Sequence, residues 1–385
     1  MIHINNKHDC CGCTACASVC NKNAIIMQAD KEGFLYPHVN IELCTDCHLC
    51  EKICPIITRD NKKTVLNLPL NVYALHHKDI EVWYKSSSGG VFTALAEDCL
   101  KMKGIVYGAV FSKDFTVVHC GEQTAKGILK FRGSKYVQSD IQGIYRDIRR
   151  HLRNQRQVLF SGTPCQVEGL KNFLSKEYNN LTTIDILCHG VPSPRLFADY
   201  IQYINQHSID SLQQIFMKDK TFGWEYQNLR LYYKHNNTEF NTPLSNLWNK
   251  LYYDNIINRP SCHHCRFTNL YRAGDITIGD FWGIQKSHPN FFNTNGISLL
   301  MVNTNRGKVV WERIHSDFIY QQSNTKQCLQ PVLLHPKSAS PQRDAFWKEY
   351  LQNGFTVTVN KYYGITHKTL LKNKIQQLIN LIRQK

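Results

Sequence analysis

From Val72 onward, short apolar runs alternate with amphipathic stretches. Residues 91–102 carry apolar side chains at positions 91, 92, 95 and 99, the spacing of one helix face, and 104–111 form an apolar run typical of a buried strand. The same patterns predict strands over 117–119, 158–160, 181–187, 276–279 and 297–302, and helices over 140–155, 194–205 and 306–315. Strands that alternate with helices indicate an α/β domain with a mixed sheet.

The first 71 residues lack this alternation. Residues 24–43 predict two short strands around a turn at Lys31–Gly33, and 61–71 are polar with one proline, as in a linker. We therefore divide the chain into a cysteine-rich domain over 1–60, a linker over 61–71, a larger domain over 72–345 and a basic helical tail over 346–385.

Two groups of four cysteines share the spacing C-x2-C-x2-C-x3-C: Cys10, Cys13, Cys16 and Cys20, then Cys44, Cys47, Cys50 and Cys54 before Pro55. This is the spacing of bacterial two-cluster ferredoxins, in which each fourth cysteine ligates the other cluster. We therefore expect two [4Fe-4S] clusters, one on Cys10, Cys13, Cys16 and Cys54, the other on Cys44, Cys47, Cys50 and Cys20.

Zinc is the alternative for these cysteines. Zinc modules usually pair two C-x2-C knuckles across a longer loop, whereas here four cysteines lie within eleven residues. One departure from the ferredoxin pattern is Asn21, which follows Cys20 where proline is usual. The additional thiol of Cys11 is interpreted as a non-ligand, although a shifted assignment remains open.

Composition and charge limit the possible cellular locations and binding partners of the protein. No apolar run reaches the roughly 20 residues that cross a bilayer, and the amino terminus has no secretory pattern, so we expect a cytoplasmic protein. The net charge is +16, with basic residues concentrated at 130–135, at 146–156 and in the last twenty residues. These are interpreted either as docking sites for an acidic redox partner, such as a ferredoxin or flavodoxin, or as solvated helix faces. No nucleic-acid motif accompanies the charge.

Four later cysteines lie at predicted loop edges: Cys165, Cys188, Cys262 and Cys265. Four thiolates are the ligand set of a third [4Fe-4S] cluster. The alternative is a zinc knuckle at Cys262 and Cys265 with two buried cysteines, and spacing alone does not separate the two.

Three small-residue loops lie at strand or helix boundaries: 86–90 (SSSGG), 133–136 (GSKY) and 161–165 (SGTPC). Small residues let backbone N–H groups approach a ligand, and a helix amino terminus favours anionic groups such as a flavin phosphate. Taken alone, the first loop is more often explained by a serine-glycine turn that only caps a helix.

In order, these loops resemble the β subunit family of coenzyme F420 hydrogenases and dehydrogenases. The matching stretches are SSSGGVFTALA at 86–96, GSKYVQS at 133–139, FSGTPCQVEGL at 160–170, CHGVPSP at 188–194 and CHHCRFTNLYRAGDITIGDFWG at 262–283. The resemblance implies an α+β ferredoxin-like two-cluster module followed by an α/β flavin-binding domain with a mixed sheet.

The resemblance also implies FAD, with the domain's own cluster on the four later cysteines. It assigns flavin contacts to Ser88, Gly89, Gly90, Thr93, Lys135, Tyr136, Gly162 and Thr163. Lys135 is the candidate catalytic residue, as a cation beside the anionic reduced flavin or a flavin phosphate.

The function expected from these features is an iron–sulfur flavoprotein oxidoreductase that relays electrons between the clusters and a flavin acting on a small organic substrate or coenzyme. One alternative is an electron-transfer subunit without substrate turnover of its own. Another is a cluster-based sensor or scaffold without flavin.

The tail predicts a helix with one apolar stripe at Leu371, Ile375, Leu378, Ile379 and Ile382 and lysines elsewhere. We expect either a weak contact with a membrane surface or partner, or a terminal helix packed on the domain.

Overall fold

The computed structural model describes residues 1–61, 68–235 and 237–383, with the side chains at 60–61 and 380–383 left out. The thirteen strands of these residues are β1 Ile25–Ala29, β2 Leu35–Val39, β3 Asn71–His77, β4 Ile105–Phe111, β5 Val117–Glu122, β6 Val158–Gly162, β7 Leu181–Ile186, β8 Leu212–Asp219, β9 Asn228–Tyr233, β10 Thr238–Phe240, β11 Ile276–Asp280, β12 Ser298–Val302 and β13 Phe318–Ser323.

The helices of the described residues are α1 Ala15–Val19, α2 Leu49–Lys52, α3 Pro55–Asn61, α4 Ile80–Tyr84, α5 Val91–Lys101, α6 Ala125–Ile128, α7 Ile144–Arg153, α8 Pro164–Leu174, α9 Pro194–His207, α10 Pro243–Tyr253, α11 Ile284–Ser287, α12 Asn305–Ile314, α13 Arg343–Tyr363 and α14 His367–Arg383. Helix α13 bends at Gly354, whose φ of 77° and ψ of 176° are not helical.

Eight strands form the central mixed sheet in the order β13-β3-β12-β11-β7-β6-β4-β5. Strands β4, β6, β7 and β11 are parallel neighbours, while the remaining pairs are antiparallel. This confirms the mixed α/β sheet predicted from the sequence.

Alternate residues of the parallel strands face two helical layers. In β6, Val158 and Phe160 pack in the core with α7 and α8, whereas Leu159 packs with α5 and α12. Because both faces are covered, β4 and the start of β6 are continuous apolar runs, which is why the sequence predicted them.

A second, three-stranded sheet has the order β10-β9-β8 and shares a core with α9, α10 and α13. Phe346, Trp347 and Tyr350 of α13 are buried there, so the predicted tail over 346–385 begins as part of this core.

The predicted hairpin of the cysteine-rich segment is confirmed, with Ile25 paired to Val39 and Ala29 to Leu35. Most of the predicted linker, residues 62–67, lies outside the described residues. Its ends are structured, because Asn61 closes α3 and Asn71 opens β3. Another difference from prediction concerns the basic helix expected over 140–155, which begins only at Ile144 because Gly143 before it has a φ of +83°.

Arginines of the larger domain hold the cysteine-rich segment. Arg259 is fully buried and donates to the carbonyl oxygens of Cys10 (2.8 Å) and Leu35 (2.9 Å). Arg146, in one of the basic stretches, donates to the carbonyl oxygens of Ser18 (2.8 Å) and Cys20 (2.9 Å). Part of the positive charge is therefore used inside the chain, to fix the cysteine loops against the sheet domain.

Candidate functional site

A cavity of about 290 Å³ opens where the carboxyl ends of β6, β7 and β11 meet the loop before α5. The carboxyl edge of a parallel sheet is where α/β proteins place ligands, because loops and helix amino termini converge there. Seven of the eight residues predicted to contact a flavin line this cavity: Ser88, Gly90, Thr93, Lys135, Tyr136, Gly162 and Thr163. The three small-residue loops, far apart in sequence, are brought together.

Gly89, the eighth residue predicted to contact a flavin, does not line the cavity but lies behind its wall. Its N–H donates to Ser298 Oγ at 2.8 Å, and a Cβ at this position would lie 2.3 Å from the carbonyl oxygen of Leu75. The next residue, Gly90, has a φ of +90° and begins α5. Glycine is therefore required at both positions, first by close backbone approach and then by a left-handed conformation.

Lys135 lines the cavity, but its ammonium nitrogen is directed at its own loop. It donates to the carbonyl oxygens of Lys130, Phe131, Arg132 and Gly133 at 3.0–3.1 Å. Burial lowers the pKa of Lys135 to about 7, while four carbonyl acceptors favour the protonated ammonium. The side chain thus fixes the 130–135 loop that forms one wall, and its expected catalytic role stays a prediction.

The third loop is held by a capping box at the start of α8. Thr163 is the N-cap, its N–H donates to Gln166 Oε1 at 2.9 Å, and Gln166 donates to Ser139 Oγ at 3.0 Å. This arrangement directs the amino terminus of α8 toward the cavity, and Cys165 lies in its first turn.

His119 was not identified from the sequence. It lines the cavity from β5, and its Nε2 lies 3.0 Å from the carbonyl oxygen of Ser161, which requires Nε2 to carry the hydrogen. Burial lowers the pKa of His119 to about 4, so the ring is neutral near pH 7. Nδ1 is therefore an acceptor.

Two buried polar atoms of this wall, His119 Nδ1 and Ser88 Oγ, have no hydrogen-bond partner among the described residues. Buried polar groups are nearly always paired, so both atoms fit a ligand with its own donors and acceptors. In the sequence, His119 is a single histidine within a predicted strand, and such a residue does not by itself indicate a function.

A buried ion pair borders the same cavity. Asp280, at the end of β11, lines it and accepts a hydrogen bond from Lys218 Nζ. That ammonium lies 5.1 Å from the ring centre of Trp224 and 5.0 Å from that of Trp282. Carboxylate and aromatic rings together hold one positive charge beside the cavity.

The four later cysteines meet in a second, smaller cavity of about 40 Å³, lined by Cys165, Cys188, Cys262 and Cys265. Cys165 comes from α8, Cys188 follows β7, and the other two lie in and directly after the 3-10 turn Pro260–His264. Burial raises the pKa of Cys188, and the neighbouring Cys262, Cys165 and Cys265 raise it further. The predicted set is thus gathered in one place.

The two cavities share a wall. Thr163, Cys188, His189, Gly190 and Val191 line both. Whatever the cysteines bind therefore lies directly beside the contents of the larger cavity.

Residues of the first predicted cluster in the amino-terminal segment are all buried: Cys10, Cys13, Cys16 and Cys54. Burial raises the pKa of Cys16, and the neighbouring thiols of Cys10 and Cys54 raise it further. The fourth cysteine of the second group is thus near the first group, as crossed ligation requires.

The second predicted set is more accessible. Cys50 is buried and accepts a hydrogen bond from the Ile2 N–H at 3.3 Å, Cys20 and Cys44 are partly buried, and Cys47 is exposed. Among the described residues, no three His, Cys, Asp or Glu side chains are close enough to hold a single metal ion.

Cys11 lies between the amino-terminal segment and the cysteine cavity. Its thiol interacts with the thiols of Cys13 and Cys165, and it lines the cavity. The extra cysteine therefore connects two predicted cluster sites, although the sequence pattern assigns it to neither.

Fold and site together define a class: a mixed α/β protein in which small-residue loops form a cavity beside a set of cysteines. Residues 155–327 match the family model that describes the carboxyl-terminal region of the coenzyme F420 hydrogenase/dehydrogenase beta subunit. This region of the chain matches the beta subunit family, as the sequence motifs within it predicted. The two-cluster amino-terminal module stays a prediction.

Among solved structures, the chain is similar to one from the F420-reducing [NiFe] hydrogenase complex of Methanosarcina barkeri, with 16% identity and a TM-score of 0.45. The similarity covers 78% of this chain and 95% of that chain. No curated protein matches. Within the described residues, no helix has the length and apolar character needed to cross a membrane.

Proposed function

We propose that this chain is an iron–sulfur flavoprotein oxidoreductase that relays electrons between [4Fe-4S] clusters and a flavin acting on a small organic substrate or coenzyme. The observation that carries the proposal is the shared wall, in which Cys188 faces both the cysteine cavity and the cavity of the small-residue loops. The matching family is named for hydrogenases and dehydrogenases, which supports an oxidation–reduction reaction.

The larger cavity fits FAD by the chemistry of its lining. Backbone N–H groups of α5 and α8 suit phosphate or carbonyl oxygens, and Arg132 lines the cavity as an additional cation. His119 Nδ1 suits a ring N–H donor, because it is a buried acceptor without a partner among the described residues. A bound flavin supplies the exchange between one-electron and two-electron chemistry.

The cysteine cavity fits a third [4Fe-4S] cluster, which Cys165, Cys188, Cys262 and Cys265 would hold. Three elements of the sheet domain position these residues, so the ligand set is formed by the folded domain rather than by one flexible loop. The amino-terminal cysteines would hold two further clusters, and the exposed Cys47 marks the side that a ferredoxin or flavodoxin would approach.

The test measures the rate of flavin reduction in the anaerobically purified chain. A one-electron donor is added, and the absorbance of the flavin is monitored over time. We expect rapid reduction in the wild type and reduction at least about tenfold slower in Cys188→Ser. The matched control, Cys120→Ser, changes a partly buried cysteine of β5 outside both cavities.

Equal rates in Cys188→Ser and the wild type would contradict the relay. Flavin reduction without turnover of any substrate would instead support the electron-transfer subunit. A chain that retains iron and sulfide but binds no flavin would support the sensor or scaffold.

A further inference from the structure

Helix α14 exposes its apolar side. We define the tail stripe as Leu371, Ile375, Leu378 and Ile379, whose exposed fractions are 61%, 48%, 49% and 37%. Ile382, the last residue of the predicted stripe, lies among the side chains that are not described.

The helix is attached to the domain by its polar side. Asn373 Nδ2 and Gln377 Nε2 both donate to Glu239 Oε2, at 3.0 Å and 2.8 Å, and Gln377 Oε1 accepts from the Ile209 N–H at 3.1 Å. Asn373 and Gln377 are buried, and Leu370 adds one buried apolar contact. A helix that only packs on its domain buries its apolar side, so packing on the domain does not account for the tail stripe.

The charges around the tail stripe have one sign. Residues 366–385 contain four lysines and one arginine but no aspartate or glutamate. At about 100° per residue, Lys372 lies along one edge of the tail stripe and Lys374 along the other, while Lys368 lies one turn before the stripe. Lysines at the edges of an apolar helix face let their ammonium groups reach an anionic surface while the apolar side chains enter it.

We propose that the tail stripe docks α14 flat on an anionic phospholipid surface. Apolar side chains supply the attraction to the acyl boundary, and the flanking lysines supply the preference for negatively charged headgroups. Attachment through Glu239 keeps the helix parallel to the domain surface while its apolar side remains available. A docking protein would need an acidic rim around an apolar groove, whereas an anionic membrane supplies both features over its whole area.

The test is flotation of the full cofactor-loaded chain with vesicles of phosphatidylcholine that contain phosphatidylglycerol. The variant Leu371→Asn/Leu378→Asn removes two exposed contacts and should lower the bound fraction by about tenfold or more. The matched control is Leu351→Asn/Val357→Asn on α13, where the side chains are 43% and 48% exposed but lie outside the tail stripe. Circular dichroism should show wild-type helix content in both variants.

Pure phosphatidylcholine vesicles and Lys368→Gln/Lys372→Gln should each weaken binding, and higher salt should weaken it further. Equal binding of the tail-stripe variant and the wild type would overturn the proposal, as would equal binding to neutral and anionic vesicles. A dimer in sedimentation equilibrium that dissociates in the tail-stripe variant would also overturn it, because the tail stripe would then belong to an interface between two copies.

Discussion

The two amino-terminal cysteine groups have the same spacing but different surroundings. Of the first group, Cys10, Cys13 and Cys16 are buried, and Cys13 packs against Gly169 of α8. Of the second, Cys50 and Cys54 are buried, but Cys44 is only partly buried and Cys47 is exposed. The first half of the motif is thus buried in one group and accessible to solvent in the other.

Because of this difference, the two cysteine sets occupy distinct locations although their spacing is identical. The buried set lies near Cys11 and Cys165, and so near the shared wall of the two cavities, whereas the exposed set faces the side open to other molecules. Spacing alone assigns the two sets equal roles. Their surroundings place the buried set toward the interior and the exposed set toward solvent.

The largest expected effect separates the two sets. Cys16→Ser should remove about four irons and lower Tm by on the order of 10 °C, because metal binding supplies folding free energy at a buried junction. Cys47→Ser should change Tm by less than half as much, since Cys47 is exposed. Iron analysis and thermal unfolding under anaerobic conditions measure both. Equal shifts in Tm would remove the distinction between the sets.

The two arginines that hold the cysteine-rich segment should also differ in the size of their effect on stability. Arg259→Met leaves the carbonyl oxygens of Cys10 and Leu35 without their buried donor and should cost about 2–4 kcal/mol in the free energy of unfolding. Arg146→Met should cost about 1 kcal/mol, because Arg146 is exposed and water replaces its bonds. Urea unfolding provides the comparison, and a larger cost at Arg146 would place the main attachment there.

A smaller effect is expected at the cavity of the small-residue loops. Lys135→Ala leaves four carbonyl oxygens without their shared donor and should weaken flavin retention by about tenfold. Lys130→Ala is the control in the same loop, since its side chain is exposed and pairs with Glu122. Equilibrium dialysis with FAD gives both affinities. Unchanged affinity and turnover in Lys135→Ala would exclude Lys135 from the site.

The smallest expected effect is a pH dependence at His119. Its pKa is lowered to about 4 in the folded chain, so between its ordinary pKa and 4 the unfolded chain binds more protons and stability falls as pH falls. From about pH 7.5 to about pH 5.5, this group should contribute a loss of about 1 kcal/mol.

Urea unfolding at the two pH values measures that loss. The His119→Gln variant should lack this part of it, and His367→Gln, at the exposed start of α14, is the control. A wild-type pH dependence retained in His119→Gln would assign the titration to another group.

Much of the sheet domain could be predicted because its parallel strands are buried on both faces. The strand at Val158 and the helix at Val91 appear where apolar periodicity placed them. The small sheet β8–β10 was missed, since its strands are half-exposed and their pairing depends on packing against α10. Periodicity likewise does not say which side of α14 attaches to the domain, because Asn373 and Gln377 are buried by contacts with Glu239 and Ile209, which are distant in sequence.

The candidate site was predictable where glycine or cysteine is required by its chemistry. Close backbone approach at Gly89 and four converging thiols leave motifs that a sequence displays. The direction in which a side chain points leaves no such motif in the sequence. Lys135 belongs to a recognisable loop but is directed at its carbonyl oxygens, and His119 becomes part of the cavity only through the pairing of β5 with β4.

The most direct test of the central claim is quantification of iron, sulfide, zinc and released flavin in one anaerobically purified sample. The adjoining cavities and the two amino-terminal sets predict about twelve irons and one flavin per chain. About eight irons with flavin, or zinc in place of the missing four, would contradict the cluster at the shared wall. Iron without flavin would contradict the oxidoreductase itself.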